Sequence, residues 1–543
     1  MSANLMPPQK AMVTDPRYIV EFSEKQVDAV FAQLNQCQLP GAVVGVAVGG
    51  RPVYRRGFGV ASMELPLLLS PTIRMRIGST TKHFASLAYL LLCEEGKAQV
   101  NATVGQYLPE LHPVTHGVTV RQLMAHLSGL RDVHDICFQF SGEGRAVSSG
   151  DLLALYRDID DANAPPGTIW DYNNGAYLIL SAAIERIAGK GLEEVLRERI
   201  FDPVGMYSTL LRRRDNNFVP NSATLHMTNG EGGYEKGFLG TAFAGEGGMV
   251  STVNDMLRWL AHMDRPSVGN ARTWAIMKEA QKLPDGTSTG YGMGLITGYY
   301  RGVETLFHPG GGMGGNAQML KVPGANLDIV VMVNRHDLSA AALANKVLDA
   351  CLPGLDPVPP PYKGEIVTGS FRSTRTGRVI QLGARDGEQI ASIDGFDWPF
   401  VRQEEQVMGT LPIWSFIKQS ITLEGNPEQP TTIRFTDFGQ VDELVPIKPV
   451  AQADVGVIEG RYRSATTGTE MAIAVTSQGP ELTTTGKFGS AVFQLDCLSE
   501  GLWRARSASP LQWWGGILSF AGGGESLTFS SLRTRALAFQ RVR

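Results

Sequence analysis

Ser79 and Lys82, with two residues between them, open a segment in which Phe84, Leu87 and Leu91 recur at helical spacing until Gly96 supplies a stop. On a helix the residue three positions on lies over the same face, so the Lys82 amine reaches the Ser79 hydroxyl. A serine hydroxyl is a poor nucleophile until an adjacent base takes its proton. A lysine does so only when burial or nearby positive charge lowers its pKa from roughly 10.4. The start of a helix adds backbone N–H groups and a positive dipole end where an oxyanion would form. Alone the pattern is weak: a chain this long holds about one Ser-x-x-Lys by chance, and a capping serine before a solvated lysine satisfies it equally.

Two more stretches add chemistry. Pro166-Gly-Thr-Ile-Trp-Asp-Tyr172-Asn-Asn174 is a turn-rich run before Tyr177, Leu180, Ile184 and Ile187 resume helical spacing. Tyr172 offers a phenol that can shuttle protons and Asn174 an amide that can hold a substrate carbonyl, although a turn tyrosine beside a left-handed asparagine reads the same way. Later, Phe307-His308-Pro-Gly310-Gly311-Gly-Met-Gly-Gly-Asn316 precedes the apolar strand Ile329–Val333. Such a glycine-rich strand edge lets backbone approach a ligand closely and can align an extended peptide.

The elements that must position these residues fall into two regimes. Up to residue 352 helical and strand periodicities are mixed, with Val27, Val30, Phe31 and Leu34 at helical spacing and Ala42–Val48 heading a hairpin. The segment 352–362 carries five prolines in eleven residues and marks the main boundary. Beyond it, short β-branched and aromatic runs alternate with turn residues. The nine residues from Gly369 match those from Gly460 at five positions, and Gly395 and Gly486 keep the same interval of 91 residues. Three domains are therefore expected: 1–352, 363–452 and 453–543, the last two being copies of one β-domain.

The composition narrows the function. A formal charge of −4 with no block of like charge gives no footprint for nucleic acid. The N-terminal segment lacks an apolar core of signal length, and the longest apolar runs fall well short of the roughly 20 residues that span a bilayer. Five scattered cysteines, none in Cys-x-x-Cys spacing, suggest reduced thiols and a cytoplasmic setting, with neither a disulfide framework nor a zinc site. No His-Glu-x-x-His occurs, Pro113 spoils the His112/His116 pair as helical ligands, and no metal or other cofactor is expected. Trp513-Trp514, on opposite faces of a strand, read as half core.

Taken in order, Ser79-x-x-Lys82, Tyr172-x-Asn174 and His308-x-Gly310 resemble the three motifs of the penicillin-recognising serine hydrolases. His126-Leu-Ser-Gly-Leu130, Phe201-Asp-Pro-Val-Gly-Met206, Gly247-Gly-Met-Val-Ser-Thr252 and Tyr291-Gly-Met-Gly294 resemble the class C β-lactamase-like branch, over about residues 24–350. Within it the chain is similar to D-aminopeptidases and to the bacterial peptidase that cleaves linearised microcystin, a heptapeptide containing D-residues. The resemblance implies an α+β β-lactamase-like domain, an antiparallel sheet flanked by helices, followed by two antiparallel β-barrels. It implies Ser79 as the acylated nucleophile, Lys82 and Tyr172 sharing the general-base and relay work, and Asn174 on the substrate amide. The amides of Ser79 and Gly311 would form an oxyanion hole. His308 would stand where many relatives have lysine, which argues against strict carboxypeptidase or penicillin binding.

In D-aminopeptidases a loop of the last barrel enters the cleft and helps recognise a free amino group. The candidate here, Thr483–Phe493, holds no acidic residue, which favours an endopeptidase. The implied function is a cofactor-free serine peptidase or amidase working through an acyl-enzyme on short peptides with D-residues, linearised microcystin being the candidate substrate. The alternatives are a D-aminopeptidase, an esterase or β-lactamase of the same family, and a non-catalytic penicillin- or peptide-binding protein. A nucleophile beside a base argues against the last. Oligomeric state is not encoded in these motifs.

Overall fold

The apolar runs of the first 350 residues form a six-stranded antiparallel sheet. Its strands are β1 (Ala42–Val48), β2 (Arg51–Phe58), β3 (Ile296–Tyr300), β4 (Val303–Gly312), β5 (Gly315–Val322) and β6 (Leu327–Val333). They lie in the order β3-β4-β5-β6-β1-β2, so the first strand of the chain pairs with the last of the domain. The computed structural model that shows this describes residues 18–65, 67–142, 144–358, 365–410, 419–450, 454–507 and 514–542. The proline-rich boundary segment is thus described only to residue 358, and Trp513 lies outside the described residues.

All seven residues of β6 are buried, which requires cover on both faces. The helices that bear on the sheet or the site are α1 (Glu24–Phe31), α2 (Lys82–Glu94), α3 (Val133–Ser141), α4 (Asn174–Ala188), α5 (Val253–His262) and α6 (Ala340–Cys351). Gly45 of β1 faces α5, where a Cβ would come within 2.4 Å of Val253 Cγ1 and 2.9 Å of Leu257 Cδ1. Three residues away and on the opposite face, Ala42 pairs with Phe58, which stacks on Phe31 of α1 at 5.1 Å. The face toward α5 also holds one lysine between two carboxylates: Lys321 Nζ is 2.8 Å from Asp328 Oδ1 and from Asp264 Oδ1. Among the described residues no helix is long and apolar enough to cross a membrane.

The remainder forms two closed eight-stranded antiparallel barrels, running from Gly369–Arg372 to Gln440–Pro446 and from Gly460–Arg463 to Leu537–Val542. The repeat seen in the sequence survives as repeated hydrogen bonds. In the first barrel Ser373 N donates to Arg378 O at 2.9 Å and Gly377 N to Ser373 O at 3.0 Å. In the second, Ser464 N donates to Thr469 O at 2.9 Å and Gly468 N to Ser464 O at 3.0 Å. Local turn chemistry thus sets the first hairpin of each barrel.

The barrels differ in attachment. The first has its own core, built on residues such as Phe371, Ile393, Phe400 and Phe435. The second shares one apolar cluster with the helical region, because Phe140 of α3 meets Phe529 at 5.1 Å and Phe539 at 5.9 Å. Trp514 extends this junction, stacked on Phe138 at 5.0 Å.

Close packing at Gly45 generates a stability prediction. Gly45→Val forces a side chain into the α5 contact and is expected to cost about 1–3 kcal/mol. Scanning calorimetry should show the transition of the sheet-containing domain at lower temperature, with no change in a transition assigned to the first barrel.

Candidate active site

The turn that carries Ser79 is a 3-10 helix, Gly78–Thr81, leading into α2. With three residues per turn, Ser79 and Lys82 lie one above the other. Gly78 has φ 51°, and a Cβ there would lie 2.6 Å from Gly311 N. Reciprocally, a Cβ on Gly310 would lie 1.7 Å from the Ile77 carbonyl oxygen and 2.9 Å from Ser79 N. Only glycine lets β4 press its backbone against the nucleophile turn in this way. β3 pairs with β4 only as far as Phe307, so the following residues lie past the end of β3, beside that turn. Side chains lock the contact: Thr80 Oγ1 donates to His308 O at 3.1 Å, and Thr81 Oγ1 accepts from Met249 N at 3.1 Å.

Lys82 is completely buried, and its amine meets three oxygens: Glu246 O at 2.6 Å, Asn174 Oδ1 at 2.8 Å and Ser79 Oγ at 3.1 Å. The first two can only accept. A neutral amine has two N–H groups for them and one lone pair left for the serine hydroxyl, which makes the arrangement that of a base. Burial lowers the Lys82 pKa well below the usual lysine value. Glu246 and Asp132 oppose that shift, and the positive charge of Arg533 adds to it.

Tyr172 closes the other side. Its ring lies 4.7 Å from Lys82 Nζ, its phenol faces the Ser79 hydroxyl closely enough to interact with it, and burial holds its pKa above the ordinary tyrosine value. The neighbours of Tyr172 are pinned to His126, with Asp171 N donating to its carbonyl at 2.9 Å and Asn173 N to its Nδ1 at 3.0 Å. Asn173 in turn caps α4 by accepting from Ala176 N at 2.9 Å. Asn174 therefore begins a helix whose first N–H groups, from Asn174 and Gly175, both donate to the Asp132 carboxylate at 3.1 Å.

Asp132 belongs to a buried charge chain. His134 sits between Asp132 Oδ1 at 3.6 Å and Glu246 Oε1 at 3.5 Å. Burial works against the imidazolium, yet the two carboxylates lift its pKa to about 9. Burial likewise opposes ionisation of Asp132, but the nearby His134 imidazolium and the charge of Arg533 hold its carboxyl below the usual range. The chain thus fixes both Lys82 acceptors, the Glu246 carbonyl through its own side chain and Asn174 through the helix start.

The structure corrects the reading of His308 as a substrate contact. Its ring is buried, with Nε2 2.9 Å from Tyr291 Oη and Nδ1 2.6 Å from the Pro309 carbonyl. Tyr291 Oη is also 3.1 Å from His126 Nε2. Because His126 Nδ1 accepts from Asn173 N, the protons run one way: His126 Nε2 to Tyr291, Tyr291 to His308 Nε2, His308 Nδ1 to Pro309. Burial, reinforced by Lys82, pulls the His308 pKa down to about 3, so the ring is neutral and braces the glycine strand. Gly311, by contrast, has open space where its side chain would be.

The hairpin Thr483–Phe493, expected in the cleft, docks elsewhere. Thr484 Oγ1 donates to Gln139 O at 3.1 Å and Gly486 N to Phe140 O at 2.7 Å, on the end of α3. The last barrel reaches Tyr172 instead through residues 531–536, where the Arg533 guanidinium lies 5.0 Å from the Tyr172 ring. Asp132, His134, Glu246 and Arg533 were not singled out from sequence. His126 and Tyr291 each begin a stretch that was, His126-Leu-Ser-Gly-Leu130 and Tyr291-Gly-Met-Gly294, and Glu246 directly precedes Gly247-Gly-Met.

Comparison with known proteins gives the family and the fold. The beta-lactamase family description matches residues 27–352. A D-aminopeptidase of Cereibacter sphaeroides is 27% identical over 447 residues, covering 80% of this chain and 82% of the relative. A D-aminopeptidase of Brucella canis is 28% identical over 360 residues, covering 65% and 67%. The octameric penicillin-binding protein homologue from Pyrococcus abyssi has the same fold, with TM-score 0.53 and 19% identity over 95% of this chain and 99% of its own. So does the D-amino acid amidase from Ochrobactrum anthropi SV3, with TM-score 0.51 and 20% identity over 60% of this chain and 97% of its own.

Two outcomes follow from the geometry. Gly310→Ala drives the serine turn away from β4, and a displacement of about 1 Å is expected to cost acylation roughly a hundredfold in single-turnover kinetics. His134 has its pKa raised from 6.5 to about 9 in the fold, so its stabilisation is complete below about pH 6.5 and lost as pH rises through about 9. Calorimetric stability of the wild type should fall across that window, and His134→Gln should be less stable at pH 6.5 with a flatter profile.

Proposed function

The chain belongs to the beta-lactamase family and is a serine hydrolase, and on that footing we propose that it cleaves amide bonds of short peptides containing D-residues through a Ser79 acyl-enzyme. The observation that carries this reading is the Lys82 amine, buried and held by two obligate acceptors with its third direction on Ser79 Oγ. Lys82 takes the Ser79 proton as Oγ bonds to the substrate carbonyl carbon. The amides of Ser79 and Gly311 receive the developing oxyanion. The C–N bond then breaks, and the Tyr172 phenol passes its proton to the leaving nitrogen and regains one from Lys82. Water repeats the sequence to free the acid. Neutral Lys82 as base and protonated Tyr172 as acid match the opposite directions in which burial moves the two groups. Asn174, already oriented by Lys82, holds the substrate amide, and Gly310 lets the peptide lie along β4.

The D-residue preference is carried over from the D-aminopeptidase relatives. Linearised microcystin remains the candidate natural substrate, and the site needs no metal or other cofactor for these steps.

The test is mass spectrometry of digests of linearised microcystin, a D-alanyl anilide, an N-acetyl D-alanyl peptide, an acyl ester and a cephalosporin. Amide cleavage at a D-residue is expected, with the acyl mass trapped on the Ser79 peptide after acid quench. Ser79→Ala and Lys82→Ala should each lose at least about a thousandfold in kcat/KM. Turnover of the ester alone, or wild-type activity in Ser79→Ala, would sink the proposal.

A further inference from the structure

The arm of the second barrel that faces the site, residues 531–536, is held as firmly as a strand. Ser531 Oγ and Thr534 Oγ1 both donate to Asp135 Oδ2 at 2.6 Å, and Asp135 is buried. Asn163 donates from Nδ2 to Arg533 O at 2.7 Å and accepts from Arg535 N at 3.0 Å, while Arg131 Nη1 donates to Arg535 O at 3.0 Å. These anchors come from the catalytic domain, and they leave one side chain of the arm directed at the catalytic residues.

That side chain is Arg533. It stands over the Tyr172 ring and is 28% exposed. Its one hydrogen bond among the described residues is a long one, Nη1 to Asp132 Oδ2 at 3.4 Å. Asp132 already accepts from three backbone N–H groups, of His134, Asn174 and Gly175, and faces the His134 ring, so it does not saturate the fork. A guanidinium has five N–H donors in a plane suited to a carboxylate, and most of these remain for a ligand. His308 is neutral and turned away, and Lys82 is enclosed. Among the described residues Arg533 is therefore the partly exposed cation beside Tyr172.

We propose that Arg533 is a specificity residue that binds a carboxylate carried by the peptide beside the scissile bond, so that the enzyme selects acidic peptides and disfavours a free α-ammonium there. The inference rests on the acyl-enzyme reading above and adds the charge of the substrate to it. A cation placed at Tyr172 attracts an anionic group and repels an ammonium, so one residue supplies both the attractive and the repulsive part of the selection. This sets the chain apart from an enzyme that takes amino-terminal residues by their charge.

Two matched pairs of capped peptides test it with the full chain. One pair carries D-Glu or D-Gln on the acyl side of the cleaved bond; the other carries Glu or Gln on the leaving side of an N-acetyl-D-alanyl bond. In the wild type the carboxylate member of at least one pair is expected to be favoured roughly tenfold or more in kcat/KM, and the pair shows on which side it binds. Arg533→Gln should bring that ratio close to one, Arg533→Lys should keep part of it, and Arg533→Glu should invert it. Ratios near one in both wild-type pairs, or a ratio unchanged in Arg533→Gln, overturn the proposal while leaving amide hydrolysis intact. If no peptide is turned over, the acyl-enzyme reading fails instead. Calorimetric binding of the same pairs to Ser79→Ala and to Ser79→Ala/Arg533→Gln then decides the role of Arg533 by the same ratios.

Discussion

A lysine amine sealed away from water is the constraint on which this structure turns. Burying a charge without partners costs several kcal/mol, so a site that needs Lys82 inside must either keep it neutral or surround it with acceptors. Here three acceptors surround the amine, two carbonyl oxygens and a hydroxyl, and burial favours the neutral form, whose lone pair can face Ser79. Each acceptor comes from a different part of the fold. Ser79 stands on the turn before α2, Asn174 starts α4, and the Glu246 carbonyl belongs to the loop leading into the short strand Met249–Ser251. The carboxylates of Asp132 and Glu246 are offset by His134 between them and by Arg533, so burial remains the largest influence on Lys82.

The two barrels enter this arrangement at the segment around Tyr172. Phe438 of the first stacks on Trp170 at 3.6 Å. The second places Arg533 on the ring of Tyr172 and Arg535 within 3.4 Å of Asp171. The segment Trp170–Tyr172 is thus touched by both barrels, the first at Trp170 and the second at Asp171 and Tyr172. Since the second barrel also shares its apolar core with α3, it is better regarded as a wall of the site than as an appended module.

What could be read in the sequence was what depends on short range. Ser79 and Lys82 declare each other because one helical turn joins them, and the barrel repeat shows because its turns are made by the same few residues at Gly369 and Gly460. The charge chain was not legible. Asp132 and Arg533 are 401 positions apart and meet only through tertiary packing. His308 misled for a related reason: a glycine-rich strand edge looks open, and nothing local reveals that Tyr291, in a different motif, occupies the imidazole. The hairpin at Thr483–Phe493 was chosen for its position in the last barrel, whereas the arm that reaches Tyr172 is identified by its anchors, which lie on α3 and in the loops before α4.

The order of these parts along the chain has a consequence in time. Ser79 is synthesised early, and the arm that reaches Tyr172 only at 531–536. A growing chain can therefore fold its sheet and its serine turn long before its site is walled, and Phe140, which ends up against Phe529 and Phe539, has no barrel to cover it during that interval. The arm beside Tyr172 is therefore completed late, together with the barrel that covers Phe140.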